Sequence, residues 1–179
     1  MDVQEVALRS AQARVREGLQ SVGWIEARGG GDGEGVSCWR RADGGDGGAQ
    51  LTVHWHRADH AVALESLARR SAALIVFNLG YLPGGDRSVT TTADGTLRAL
   101  RSAEGLLAVG GCISVTIYPG HSAGAAEEGA VLEYEASLPQ GVWSVYYTQW
   151  LNQRNKRTGR RAPSLVLQQL LHEPDVGDD

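Results

Sequence analysis

Ala72-Ala73-Leu74-Ile75-Val76-Phe77-Asn78-Leu79-Gly80-Tyr81-Leu82-Pro83-Gly84-Gly85-Asp86 is the stretch on which the reading of the fold turns. Ala72 to Phe77 is a continuous apolar run of strand length, the pattern of a strand buried on both faces in a parallel sheet. Asn78 follows at once. The glycines and proline behind it predict a tight, exposed loop that lets a ligand approach the backbone closely. In open α/β sheets ligands sit beyond the carboxyl ends of the strands, so chemistry is expected in this loop.

Outward from that run, strand and helix patterns alternate. Leu51–Trp55 reads as a short strand, Ala61–Arg70 as a helix, and Thr96–Ala108 as a helix stopped by Gly110-Gly111. Cys112–Tyr118 is a second β-branched strand and Gly124–Ala136 a further helix. Trp143–Trp150 and Ser164–Leu171 are two closing strands joined by a polar loop without helical character. The expectation is an α/β fold, a mainly parallel sheet covered on both faces and ending in an antiparallel hairpin. Upstream, Val3–Leu19 has the spacing of an amphipathic helix. In Gly29–Gly48, nine of twenty residues are glycine and most others polar, which reads as a disordered insertion within one domain spanning residues 1–179.

Composition excludes several function classes. A net charge of −4 over 179 residues argues against a DNA-coating protein but leaves room for a local basic patch. Arg154, Lys156, Arg157, Arg160 and Arg161 form such a patch, five cations in eight residues, and suit phosphate contact with RNA. No apolar run is long enough to span a membrane, and the N-terminus lacks the pattern of a signal peptide, so the cytosol is the default compartment. Cys38 and Cys112 stand at no metal-ligand spacing and read as two thiols in a reducing environment. His54 and His56 alternate along a strand without a third ligand, so no metal is expected.

For the loop itself, an Asn at the end of a strand with an aromatic three residues on suits methyl transfer to an amine. The Asn78 carboxamide oxygen and a main-chain carbonyl can accept the amine's hydrogens and aim its lone pair, while Tyr81 stacks on the base that carries it. The plainer alternative is a glycine-rich turn with a capping Asn. Gly120-His121-Ser122-Ala123-Gly124 offers a rival, since it matches the nucleophile elbow of a serine hydrolase. That reading needs a later acid and histidine, and only Glu133 or Glu135 and His172 are available. His121, in the loop after a strand, either bonds RNA and assists amine deprotonation or caps its own helix.

The run Phe77 to Asp86, continued by Arg87-Ser88-Val89-Thr90-Thr91, resembles the signature of the family formerly labelled rRNA methylases and now associated with methylating the 5-aminomethyl group of 2-thiouridine at the tRNA wobble position. The resemblance extends through Gly110-Gly111, Tyr118-Pro119-Gly120-His121, Gly124, Glu128 and Asn152-Gln153-Arg154-Asn155 before Pro163, and covers most of Leu51 to Leu171. It implies a class I methyltransferase sheet, S-adenosyl-L-methionine as cofactor and the anticodon region of tRNA as partner, with no membrane and no DNA; a homodimer is compatible with it. It implies catalytic roles for Asn78, Tyr81 and His121. Cofactor contacts fall to Asp2, Gln4, Asp59, His60 and Asn78, and substrate contacts to Gly80, Leu82, Pro83, Gly84, Asp86, Tyr118, Arg154, Asn155 and Arg157.

Met1 to Leu8 resembles the end of the family's second strand, which places Asp2 at the ribose position. The family's first strand and its glycine-rich cofactor loop have no counterpart in the sequence. The expectation is therefore an N-terminally truncated methyltransferase sheet, with an RNA-binding partner or non-catalytic relic as the alternative reading. A transit peptide to an organelle would lie upstream.

Overall fold

A computed structural model describes residues 5–28, 35–42, 49–65, 67–80, 90–120, 122–154, 159 and 161–174. Its contacts divide into two compact units, Met1–Ala63 and Leu64–Asp179.

The first unit begins with α1 (Glu5–Ser21), which buries Leu8 and turns at Gly23, whose φ of 83° suits glycine, into β1 (Trp24–Arg28). Next come β2 (Gly35–Arg41) and β3 (Gln50–Trp55), forming an antiparallel sheet in the order β1-β2-β3. β2 stands inside the tract whose glycine content predicts disorder, so that expectation fails over residues 35–41. Composition averaged over the tract hides Val36-Ser37-Cys38-Trp39, an alternating segment flanked by partner strands on both sides. Trp39 is buried, and the Trp39 and Trp55 indole N–H groups both donate to Ser37 Oγ, at 3.2 and 3.1 Å. β3 likewise belongs to this antiparallel sheet and not to a parallel one. The predicted helix over 61–70 shrinks to α2 (His60–Leu64), opened by Asp59 Oδ1, which accepts the Ala61 N–H at 2.8 Å.

The second unit carries the sheet that the resemblance implies. β4 (Ala72–Asn78) pairs in parallel with β5 (Leu107–Ile117). β7 (Ser164–Leu170) inserts antiparallel between β5 and β6 (Trp143–Thr148), giving the order β4-β5-β7-β6. α3 (Ala93–Leu106) and α4 (Ser122–Ala136) pack on each other and against β5. The α3 residues Ala99, Leu100, Ala103 and Leu106 and the α4 residue Val131 are buried, as are Ile113, Val115 and Ile117 of β5 and Val166 and Leu170 of β7.

Both helices thus lie on one face, and β4 is not the doubly buried strand its apolar run predicts. Phe77 is buried, but Leu74 and Val76 are 62% and 63% exposed. β4 is an edge strand with a single neighbour among the described residues. Alternate side chains therefore separate into a covered and an open face.

Gly110-Gly111 does not stop α3 either. The helix ends at Leu106, Leu107 is already extended (φ −70°, ψ 127°), and both glycines lie within β5. Gly110 takes φ 83°, and the pairing with β4 skips between Ala72 and Leu74. A Cβ at Gly111 would stand 2.8 Å from the Ala108 carbonyl oxygen and 2.9 Å from that of Ala72. Gly111→Ala should therefore cost roughly 1–3 kcal/mol through forced backbone movement, measurable by urea denaturation.

Beneath the two helices is a polar cluster. Glu104 Oε1 accepts from Tyr134 Oη and from Gln168 Nε2, both at 2.8 Å, and the Arg101 guanidinium lies 5.2 Å from the Tyr134 ring centre. Glu135 is buried with neither carboxylate oxygen hydrogen-bonded among the described residues. Burial, and then the nearby Glu104 charge, raise its pKa from 4.5 to about 7. The folded form holds this proton in a range where the unfolded chain has released it, so stability is full below about pH 4.5 and falls as pH rises to about 7. Glu135→Gln should remove that loss. Thermal unfolding is expected to show the variant stabilised by up to roughly 3 kcal/mol at pH 8, with little difference at pH 4.

Candidate active site

The register of the second sheet brings four strand ends to one edge. Asn78 pairs with Thr116, Thr116 with Leu165 and Leu165 with Thr148, so the row crosses β4, β5, β7 and β6. The loops after β4, β5 and β6 all leave the sheet at this edge. Asn78 is exposed there, and its carboxamide has no hydrogen-bond partner among the described residues.

Leu79 continues the pairing, its N–H donating to the Thr116 carbonyl at 3.0 Å, and its side chain is buried. Gly80 then turns at φ 100°, a conformation open to glycine. Its N–H donates to Thr91 Oγ1 at 2.7 Å, and its carbonyl accepts the Thr91 N–H at 3.2 Å. The chain thus departs and returns at one point. The Tyr118 ring faces Gly80, with Cδ2 at 3.9 Å from where a Cβ would be, and the tyrosine is 40% exposed. Asn78, Gly80 and Tyr118 therefore share one surface at the carboxyl ends of the parallel strands.

Two side chains to which the sequence reading gave no role organise this edge. Glu127 of α4 is buried; its Oε2 accepts from Thr91 Oγ1 at 3.0 Å and its Oε1 from the buried Thr96 hydroxyl of α3 at 2.7 Å. A relay thus runs from α4 through Thr91 to the Gly80 amide. The next residue, Glu128, meets a different set of donors. Its Oε1 accepts from Ser164 Oγ at 2.7 Å and Tyr147 Oη at 2.9 Å, and its Oε2 takes the Arg161 guanidinium. Burial opposes its ionisation, but the bonds from Ser164, Tyr147 and Arg161 outweigh that and hold its pKa below 4.5. The signal was present in the sequence: Glu127, Glu128 and Glu135 fall on the same helical stripe as Gly124 and Val131, the buried face of α4. Charges on a core stripe require fixed partners.

Of the other predicted positions, Arg154 is exposed in the β6–β7 connection, bridged in antiparallel fashion to Arg161. Asp59 and His60 belong to the start of α2 in the first unit, where Asp59 serves as a cap. Asp2, Gln4, Tyr81, Leu82, Pro83, Gly84, Asp86, His121, Asn155 and Arg157 lie outside the described residues. The hydrolase reading finds no support. Ser122 opens α4 at the carboxyl edge, whereas His172 follows the far end of β7, whose seven residues separate the two by roughly 20 Å. Glu135 is buried near the other end of α4, roughly 20 Å along the helix from Ser122.

Residues 42–162 match the family model described as "Putative rRNA methylase". A curated relative from Arabidopsis thaliana, "tRNA (mnm(5)s(2)U34)-methyltransferase, chloroplastic", is 44% identical over 79 residues, covering 44% of this chain and 29% of that protein. The solved structure of a "putative rRNA-methylase" from Clostridium thermocellum aligns with a TM-score of 0.58 at 34% identity, covering 64% of this chain and 59% of the other. A "putative methyltransferase" from Streptococcus mutans, solved in complex with SAH, aligns with a TM-score of 0.55 at 30% identity and the same coverage. The chain thus spans about three-fifths of these solved relatives and less of the curated one.

Removing the Glu127 acceptor isolates two hydroxyls and frees the post-β4 loop. Glu127→Ala should lower stability by roughly 2–3 kcal/mol. Amide exchange at Gly80 should rise well beyond the change at the core amides of β5; equal changes at both would show that Glu127 does not hold this loop.

Proposed function

Because the chain belongs to the rRNA methylase family, we propose that it carries the amine-positioning and RNA-facing part of an S-adenosylmethionine-dependent methyltransferase acting on tRNA, with the exocyclic aminomethyl group of wobble 2-thiouridine as its target. The observation that carries this reading is the Asn78 carboxamide, exposed and without a hydrogen-bond partner among the described residues at the carboxyl end of β4, two residues before the Gly80 amide that the Thr91–Glu127 relay anchors. The name of the Arabidopsis relative supports the nucleotide, and the SAH complex of the Streptococcus relative supports the cofactor. The chloroplast named for the Arabidopsis protein supports an organelle as the alternative to the cytosol read from the sequence.

S-adenosylmethionine supplies an electrophilic methyl group. The chain's own task is orientation. Asn78 Oδ1 accepts hydrogens from the substrate amine and aims its lone pair, which makes geometry the main source of rate. Gly80 brings no side chain beside Tyr118, whose ring would be the nearest neighbour of a Cβ placed there. Tyr81 stacks on the target base, and His121 accepts the released proton. Asp2 and Gln4 would hold the ribose of the cofactor, and Asp59 and His60 would flank its adenine. Arg154, Asn155 and Arg157 contact the RNA strand.

The test is calorimetry of this chain with S-adenosylmethionine, followed by transfer of labelled methyl to unmodified tRNA. Asn78→Ala should lower transfer by on the order of a hundredfold while cofactor affinity stays within a few-fold. Persistent transfer in the variant would remove Asn78 from its role. RNA binding without cofactor uptake would leave an RNA-binding partner as the function.

A further inference from the structure

Beyond the last paired residue of β6 the chain exposes an aromatic side chain that the fold does not use. Trp150 is 65% exposed and Leu151 87%, whereas Trp39 and Trp143 are 2% and 8% exposed in their cores. Among the described residues the Trp150 indole has no hydrogen bond and no ring partner. It is flanked by Arg154, exposed and without an ion pair among the described residues, and in sequence by Lys156, Arg157 and Arg160. A solvent-facing indole among cations, on a chain of net charge −4, is complementary to a polyanion that also offers flat apolar rings.

Resting on the RNA reading above, we propose that Trp150 is a stacking platform for a nucleobase flanking the modified nucleotide. Thr148 lies three strands from Asn78 in one cross-sheet row, about 14 Å away at the usual strand spacing. That separation is too great for the base whose amine Asn78 orients and suits a neighbour on the same strand. The Glu128 clamp on Tyr147 and Arg161 fixes both stems of the connection that displays the indole. Stacking on an indole tolerates any base, so the subsite adds affinity and register with little sequence preference.

The experiment is a titration of a labelled tRNA anticodon stem-loop into the full chain at low salt, followed by anisotropy and by tryptophan fluorescence. RNA should quench the parent's fluorescence. Trp150→Ala should weaken binding by roughly tenfold and lose most of the quench, and Trp150→Phe should retain most of the affinity. Arg154→Ala should weaken binding and lower the salt slope by about one while the quench at saturation remains. Unchanged affinity in Trp150→Ala, or a quench that persists in it, would overturn the platform and leave the RNA reading standing. A parent chain that binds no RNA would overturn both. A parent that instead self-associates through Trp150, seen by sedimentation, would assign the surface to a second copy and overturn the proposal.

Discussion

Two adjacent carboxylates on α4 hold the carboxyl edge of the second sheet together. Residues one apart on a helix diverge by about 100°, so Glu127 and Glu128 face different neighbours from one backbone position. Glu127 reaches the start of α3 and, through Thr91, the amide of Gly80. Glu128 reaches both ends of the β6–β7 connection through Tyr147, Arg161 and Ser164. Burying a carboxylate is costly unless each lone pair finds a donor, and here the donors come from segments distant in sequence. The loop that bears Asn78 and the connection that bears the cations and Trp150 are thereby referred to the same helix turn. The function proposed above would need that kind of shared reference, since a small misplacement of either part is costly in rate.

The third glutamate of that stripe behaves differently. Glu135 faces Glu104 where Tyr134 and Gln168 have already committed their donors to Glu104. It therefore keeps its proton to about neutral pH and ties stability to pH far from the functional edge. One helix face thus carries two bonded carboxylates near the carboxyl ends of the parallel strands and one proton-holding carboxyl near the opposite ends. Position along α4 decides which donors are within reach.

The open face of β4 gives the same unit its asymmetry. Helices cover one side, where Phe77 and the β5 residues form the core, while Leu74 and Val76 stand on the other. Apolar side chains placed so are normal singly, but here they alternate along an edge strand, the arrangement that sheets ordinarily pair or cover. The relatives of known structure extend well beyond the span this chain matches.

The amino-acid sequence alone determined that a strand runs from Ala72 to Asn78 and is followed by a glycine-rich loop, that helices and strands alternate after it, and that the chain closes on two antiparallel strands. Those features are local, written in apolar period, glycine and proline, and the Phe77–Asp86 signature is contiguous. The second strand of the first unit, the single-sided burial of β4 and the place of Gly111 inside a strand were decided by tertiary pairing. Trp39 and Ser37 make a strand of a glycine-flanked tract only because β1 and β3 lie on either side. The same holds for the site. Asn78 is legible as a strand-end residue, but Thr91, Glu127 and Glu128 acquire their roles from contacts across 11 to 36 residues of chain, and no periodicity records which donor a buried carboxylate will meet.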